Sequence, residues 1–137
     1  MEQELISAGW VLDHDDGFVG HVGGLWRRAH DGQTQFAFIA RDFHANRNGV
    51  VHGGMLVTFM DRALGQTSRM TTGAVRGATI NLNTQFLAPV KIGDLVVMTP
   101  QITKVTGRMV FASGTAFVGD DPVAAVQGVF RASHSKA

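Results

Sequence analysis

The sequence contains no cysteine among its 137 residues, and this absence excludes several kinds of site at once. Disulfide frameworks, cysteine-ligated zinc sites and thiol nucleophiles all require that residue. Any catalytic group in this protein must therefore be a carboxylate, a histidine, a hydroxyl or a group of the backbone.

Long apolar runs and an excess of one charge are also missing. The longest apolar runs have about five residues, whereas a membrane-spanning helix needs ~20. The acidic start, MEQEL, lacks the basic and apolar regions of a signal peptide. With 12 Lys+Arg and 11 Asp+Glu the net charge is +1, which is too balanced for a dedicated nucleic-acid binder. We therefore expect a cytoplasmic protein that binds neither membranes nor nucleic acids.

The chain has the composition of a folded globular protein, with 45% hydrophobic residues, and its length predicts one domain spanning residues 1–137. Residues 55–70 read as a helix whose first turns are apolar nearly all the way round, which is typical of a buried helix. The remaining pattern predicts a short helix over 5–10 and strands over 18–28, 33–40, 79–86, 95–105, 109–118 and 123–132. This order predicts an α+β fold, in which an antiparallel sheet of about five or six strands wraps around one long central helix.

The strand over residues 79–86 alternates with a period of two, which predicts one apolar and one polar face. The two faces are expected to be Ile80, Leu82, Thr84 and Phe86 on one side and Thr79, Asn81, Asn83 and Gln85 on the other.

One cluster of residues, at the junction between a glycine-rich loop and the buried helix, indicates a candidate active site. Its spacing is N-x2-G-x2-H-G-G-x6-D, formed by Asn46, Gly49, His52, Gly53, Gly54 and Asp61. Glycines at a helix N-terminus expose backbone N–H groups, and these suit an oxyanion or a polarised carbonyl oxygen. A carboxylate within an apolar helix is costly to bury unless it is paired or has a chemical role. We expect Asp61 to act as a general base or a nucleophile.

The distance between Gly53 and Asp61 predicts that the active site forms between two subunits. Gly53 and Asp61 lie on one helix about 12 Å apart, too far for both to act on a single carbonyl group. If both act, they come from different chains. Antiparallel pairing of two such helices across a two-fold axis would place Gly53 of one subunit beside Asp61 of the other and create two equivalent sites.

These residues and their spacing resemble hotdog-fold thioesterases of the PaaI or 4-hydroxybenzoyl-CoA thioesterase type. Ala63 and Gly65 follow Asp61 as in many members, and RGATINLNTQFLAPVKIGD resembles the family strand after the helix. The resemblance extends from about Gly17 to Arg131. It implies a hotdog fold and hydrolysis of an aryl- or fatty acyl-CoA thioester.

The resemblance also implies a role for each member of the site. Asp61 would be the nucleophile or general base, and the Gly53 N–H would polarise the thioester carbonyl. His52 and Asn46 would support the loop, the thioester and the attacking water, and Thr79 would orient that water or the carboxylate. The implied residues for coenzyme A are Gly54, Asn81, Phe86, Gly107 and Arg108, and the Arg108 guanidinium suits phosphate.

No cofactor is expected beyond the coenzyme A carried by the substrate, and no metal, since His44 and His52 lack further ligands at metal spacing. Similar proteins form homodimers that pair into homotetramers, so a dimer of dimers is expected. Two alternatives stay open. A hotdog dehydratase or hydratase would use a different histidine and acid pattern, and a non-catalytic acyl-CoA-binding module would share the fold without the reaction.

Overall fold

A computed structural model describes residues 1–135, so the last two residues of the expected domain lie outside the described part. It contains three α-helices, one 3-10 turn at Asp42–His44 and eight strands. The helices are α1 (Glu2–Ser7), α2 (Phe18–His21) and α3 (Gly53–Thr72). The strands are β1 (Val11–Asp13), β2 (Leu25–His30), β3 (Gln33–Ile39), β4 (Arg76–Phe86), β5 (Leu95–Met98), β6 (Gln101–Thr106), β7 (Met109–Val118) and β8 (Asp121–Ser133).

All eight strands form one sheet, and every pairing is antiparallel. The strand order is β1-β2-β3-β5-β7-β8-β4, with β6 paired to β7. β4 therefore lies at one edge, directly after α3 in the chain. The expected α+β architecture, with a sheet around one long helix, is confirmed.

α3 is the centre of the main hydrophobic core. Phe59, Met60, Ala63 and Leu64 on this helix are completely buried against residues of the sheet. A narrow stripe on the same helix is only half-buried or exposed, and it contains Gly54, Thr58, Asp61 and Arg62. Asp61 therefore lies at the boundary between the core and the open side of the helix.

Three predicted elements differ from the structure, each because of a local backbone feature. Residues 18–28 are not one strand: Phe18–His21 is a helical turn, and Gly23 and Gly24 adopt positive φ before β2 begins. The predicted strand 95–105 is two strands, because Pro100 has no N–H to donate to a ladder. The leading helix ends at Ser7 rather than Trp10, since Gly9 has a φ of +91°. These changes and the unpredicted β1 raise the strand count from five or six to eight.

A β-bulge in β4 changes which face its side chains occupy. Thr79 pairs with Phe130, and Asn81 pairs with Val129, so Ile80 is an inserted residue. Beyond the bulge the predicted alternation holds: Leu82 packs against the core and Asn83 faces the opposite side. Before the bulge the alternation is inverted, and the predicted grouping of Thr79 with the outward polar residues is wrong. Thr79 faces α3 instead.

Part of the outer face of the sheet, which points away from α3, is covered by α1 and the residues after it. A second hydrophobic cluster covers β2 and β3 and is formed by Leu5 of α1 together with Trp10, Trp26, Ala37 and Ile39. Arg28 ties this layer to the sheet, because its guanidinium lies 4.6 Å from the centre of the Trp10 ring and donates to the Ala8 carbonyl. Within residues 1–135, no helix combines the length and the apolar character needed to cross a bilayer.

Candidate active site

The loop before α3 is held in shape by Asn46. Its side-chain oxygen accepts hydrogen bonds from the N–H groups of Asn48, at 2.8 Å, and Val50, at 3.3 Å. Gly49 has a φ of +79°, a conformation that favours glycine, which explains the N-x2-G spacing. The side-chain oxygen of Asn46 is thus committed to the turn, and no group in residues 1–135 accepts a hydrogen bond from its amide N–H groups.

His52 is the N-cap of α3, a position that usually carries Ser, Thr, Asp or Asn. Its Nδ1 accepts a hydrogen bond of 2.7 Å from the Gly54 N–H, and its carbonyl accepts from the Met55 N–H at 2.9 Å. Because Nδ1 is an acceptor here, the neutral ring carries its proton on Nε2. His52 therefore caps the helix and presents an N–H donor at its exposed edge.

Gly53 is the first residue of α3, and its N–H group makes no hydrogen bond to any described protein group. The ring of Phe86 lies over it, since a Cβ added at Gly53 would come within 3.1 Å of the Phe86 ring. Beside them is a pocket of about 430 Å³ lined by Val51, Gly53, Leu56 and residues 86–90. An available donor thus borders a pocket whose lining side chains are apolar.

Asp61 is paired with Thr79. The Thr79 hydroxyl donates a hydrogen bond of 2.5 Å to Asp61 Oδ1, across the gap between α3 and β4. The bulge at Ile80 makes this contact possible, because it turns Thr79 towards the helix. One carboxylate oxygen therefore accepts a hydrogen bond from a hydroxyl, and the carboxylate of Asp61, which is only half-buried, can still take up a proton or attack a carbon.

Two anchors that the sequence did not reveal hold residues 13–24 against this region. The first is His44, which is 5% exposed: its Nδ1 accepts from the Arg41 N–H at 2.9 Å, and its Nε2 lies 2.6 Å from the Val22 carbonyl oxygen. The His44 carbonyl also accepts the His52 N–H at 2.7 Å. His44 therefore joins residues 13–24 to the glycine-rich loop. Its ring contacts Phe38 and Phe43, and only this burial, which the sequence pattern does not show, could have indicated a structural role.

The second anchor is an ion pair next to the candidate base. Arg62, which follows Asp61 on α3, donates to Asp15 Oδ2 at 2.6 Å. The hydrogen bond from Arg62, followed by one from the Gly17 N–H, holds the pKa of Asp15 below its ordinary value of 3.8. The acidic stretch 13–16 had offered no sequence signal for this pair.

The structure brings some of the predicted site residues together and leaves others apart. Asn46, His52, Gly53, Gly54 and Phe86 lie around the N-terminal end of α3, while Asp61 and Thr79 lie two turns further along. Asn81 follows the bulge on the outward-facing side of β4, and Gly107 and Arg108 occupy the exposed β6–β7 turn. Among residues 1–135, no group of three His, Asp or Glu side chains is placed to hold a metal ion.

Comparisons with known proteins agree with this architecture. The model of the Thioesterase superfamily matches residues 48–125. An inferred esterase of Pseudomonas aeruginosa, PA0474, is 31% identical over 103 residues, covering 73% of this chain and 77% of its own length. The bovine acyl-coenzyme A thioesterase THEM4 is 43% identical over 115 residues, covering 82% of this chain. The chain spans about half of the bovine protein, namely 46% of its length.

Solved structures share the fold. Thioesterase Superfamily Member 2 from zebrafish superposes with a TM-score of 0.77 at 20% identity, covering 96% of both chains. A phenylacetic acid degradation-related protein of Ralstonia eutropha superposes with a TM-score of 0.75 at 25% identity, covering 87% of this chain and 92% of the other. A hypothetical thioesterase of Streptococcus pneumoniae, solved with coenzyme A, superposes with a TM-score of 0.75 at 16% identity, covering 93% of this chain and 99% of the other. The hotdog fold expected from the sequence is confirmed, and this chain belongs to the thioesterase superfamily.

Proposed function

We propose that this protein hydrolyses an aryl- or fatty acyl-CoA thioester to the free acid and coenzyme A. The observation that carries the proposal is the carboxylate of Asp61, fixed by Thr79 on a helix whose first N–H group, that of Gly53, has no acceptor within residues 1–135. An activating carboxylate and an oxyanion donor are the two groups that acyl transfer to water requires. The relatives named as thioesterases and the neighbour solved with coenzyme A support the substrate class.

The reaction has two possible routes through the same residues. In the first, Asp61 takes a proton from water, and the resulting hydroxide attacks the thioester carbonyl carbon. In the second, Asp61 itself attacks that carbon to form a mixed anhydride, which water then hydrolyses. Both routes break the carbon–sulfur bond, and the departing thiolate of coenzyme A takes up a proton. The Gly53 N–H stabilises the negative charge on the carbonyl oxygen in both routes.

The supporting roles follow from the contacts described above. Thr79 orients Asp61, Asn46 shapes the loop and offers its amide N–H groups, and His52 caps the helix and points its Nε2–H outward. Coenzyme A would lie along Gly54, Phe86 and the Gly107–Arg108 turn, with the Arg108 guanidinium on a phosphate. Asn81, the other residue implied for coenzyme A, lies on the outward-facing side of β4, opposite to Phe86. The pocket beside Phe86 would receive part of the substrate chain. No additional cofactor and no metal takes part in this proposal.

Each active site is proposed to form between two subunits. Gly53 and Asp61 lie eight residues apart on α3, about 12 Å along the helix, so one subunit does not supply both groups to one carbonyl. The stripe of Gly54, Thr58 and Asp61 is open on the outside of α3, and β4 is the last strand of the sheet, with β8 as its one partner strand in the described part of the chain. Antiparallel pairing of α3 with its copy would use both features and bring Gly53 of one protomer to Asp61 of its partner.

Release of free coenzyme A from a panel of aryl and straight-chain acyl-CoA substrates tests the activity. We expect Asp61→Asn to lower kcat by at least a hundredfold, while Asp31→Asn, at an exposed turn, leaves it unchanged. Hydrolysis of no substrate despite intact acyl-CoA binding would instead support a binding module. Intact-mass measurement after rapid quenching separates the routes, because the anhydride route adds the acyl mass to the protein.

The donor and the shared site can be tested together. Gly53 is the first helical residue, where proline is tolerated, so Gly53→Pro removes the N–H group and Gly53→Ala is the control that adds only a Cβ. We expect kcat to be about a hundredfold lower in the proline variant than in the alanine variant.

Mixed dimers of Gly53→Pro and Asp61→Asn chains contain one intact site if the site is shared. Statistical mixing should then restore about a quarter of the activity, whereas a site within one chain would give no recovery.

A further inference from the structure

The phenylalanines of this protein differ widely in their exposure. Four of the nine are at most 2% exposed and belong to the core. Three are more than half exposed, namely Phe43 at 65%, Phe18 at 64% and Phe86 at 56%. Single exposed apolar side chains are ordinary on a protein surface, whereas a group of them around one cleft indicates a binding site. The positions of these three rings therefore decide what they mean.

All three exposed rings lie on elements that border the candidate active site. Phe86, at the end of β4, lies over Gly53. Phe43 belongs to the 3-10 turn before the glycine-rich loop, and the next residue, His44, holds that loop through the His52 N–H. Phe18 is the first residue of α2, within residues 13–24. The three rings are thus grouped around the site.

Residues 13–24 are fastened beside α3 at both ends of the candidate site. One anchor joins Asp15 to Arg62, the residue that follows the candidate base on α3. The other joins the Val22 carbonyl to His44, next to the start of α3. Residues 13–24 therefore run beside α3 from the position of the base to the position of the helix N-terminus.

Each exposed ring belongs to one end of this arrangement. Phe18 lies near the anchor at the Asp61 end, while Phe43 and Phe86 lie at the Gly53 end. Phe43 is itself in contact with residues 13–24, since a Cβ added at Gly23 would come within 3.4 Å of its ring. In the pairing proposed above, the Asp61 end of one protomer meets the Gly53 end of the other. One site would then collect Phe18 from one subunit, and Phe43 and Phe86 from the second.

We propose that Phe18 of one protomer and Phe43 of the partner subunit hold the apolar part of the acyl group and so determine which acyl groups are accepted. The inference rests on the proposed function and adds to it two residues and a specificity. An aromatic ring offers a large apolar contact area, and ligand pockets are lined mainly by such side chains. The acyl group must be large enough to reach the rings, so an octanoyl group is favoured over an acetyl group.

Steady-state kinetics with octanoyl-CoA and acetyl-CoA test this specificity. We expect Phe18→Ala and Phe43→Ala each to raise the ratio of KM for octanoyl-CoA to KM for acetyl-CoA about tenfold, as for loss of much of a buried apolar contact. Leucine at either position keeps an apolar side chain and should restore most of the preference.

A matched control removes a ring elsewhere. Phe111 is 38% exposed on β7, next to the buried Val110, and alternation along the strand points it to the outer face of the sheet. Phe111→Ala should therefore leave the KM ratio unchanged. A ratio that neither Phe18→Ala nor Phe43→Ala changes would overturn the inference. This holds even if both KM values rise together, because that result reports a loosened segment rather than a lost contact with the acyl group.

Binding measurements separate this inference from the proposed reaction. Titration calorimetry of Asp61→Asn protein with the same two ligands gives dissociation constants without hydrolysis, and the alanine substitutions can be added to that chain. A parent protein that hydrolyses neither ligand, but whose preference for octanoyl-CoA falls about tenfold on loss of either ring, would support the ring contacts and contradict the proposed reaction. Hydrolysis with an unchanged preference would do the reverse, and a protein that binds neither ligand would contradict both.

Discussion

Thr79 donates a hydrogen bond of 2.5 Å to Asp61 Oδ1, and this contact joins β4 to the centre of α3. It determines which of the two carboxylate oxygens is occupied. Under the proposed function, the other oxygen is the one that would act on water or on the thioester. The orientation of Asp61 therefore depends on a residue of the neighbouring strand, and not on the helix alone.

Replacing Thr79 tests this dependence. Thr79→Val keeps the shape and removes the hydroxyl, so we expect kcat to fall about tenfold to a hundredfold, as for loss of a hydrogen bond to a charged group. Thr79→Ser keeps the hydroxyl and should retain most of the activity. Steady-state kinetics on the best acyl-CoA substrate measures both. Activity lost in Thr79→Ser but retained in Thr79→Val would show that the methyl group, rather than the hydroxyl, matters.

Replacing His52 tests the cap of α3. His52→Ala removes the acceptor of the Gly54 N–H, and we expect the free energy of unfolding to fall by about 1 kcal/mol. Asparagine is a favourable cap, so His52→Asn should recover most of this stability. Urea unfolding followed by circular dichroism gives both values. An alanine variant as stable as the parent protein would contradict a capping role.

His44→Ala should cost more stability than His52→Ala. It leaves two part-buried hydrogen-bonding groups, the Arg41 N–H and the Val22 carbonyl, without their partner, and it removes a buried ring that packs against Phe38 and Phe43. We expect a loss of about 3 kcal/mol in the free energy of unfolding. His30→Ala is the matched control, since His30 lies at the exposed end of β2 and should cost under ~0.5 kcal/mol.

The ion pair between Asp15 and Arg62 predicts a pH dependence of stability. The pKa of Asp15 is lower in the folded protein than its ordinary value of 3.8, chiefly because Arg62 donates to it. Its stabilising contribution is therefore complete above pH ~4 and is lost as the pH falls through the lower, folded value. Asp15→Asn should be less stable than the parent protein at pH 7, and the difference should shrink towards pH 2. Urea unfolding at several pH values measures it, and a difference that stays constant would contradict this assignment.

Much of the fold could be predicted from the sequence, because the relevant signals are local. The apolar residues from Met55 to Met60 marked the buried helix, and the strands predicted over 33–40 and 109–118 coincide within one residue with β3 and β7. The glycine-rich loop was found by composition. These features depend on residues close together in the chain.

The features that were missed depend on contacts between distant segments. Ile80 fits a regular alternation in the sequence, and only its pairing with β8 shows that it is an inserted residue. His44 and Val22 are 22 residues apart, and Asp15 and Arg62 are 47 apart, so no spacing rule connects them. Asp61 and Thr79 were each identified as site residues, but the side on which Thr79 lies required the structure. The roles of the predicted site residues remain predictions for the experiments above.

The capping of α3 has a consequence for what the start of this helix accepts. Three of the first amides are already engaged by His52, since Gly54 donates to its ring and Met55 and Leu56 donate to its carbonyl. Within residues 1–135, the Gly53 N–H alone of these four is unengaged. A phosphate group needs several converging donors, whereas a carbonyl oxygen is satisfied by one. Under the proposed function, the helix start would therefore accept the thioester carbonyl rather than a phosphate, and the anionic end of coenzyme A would be held by other parts of the protein.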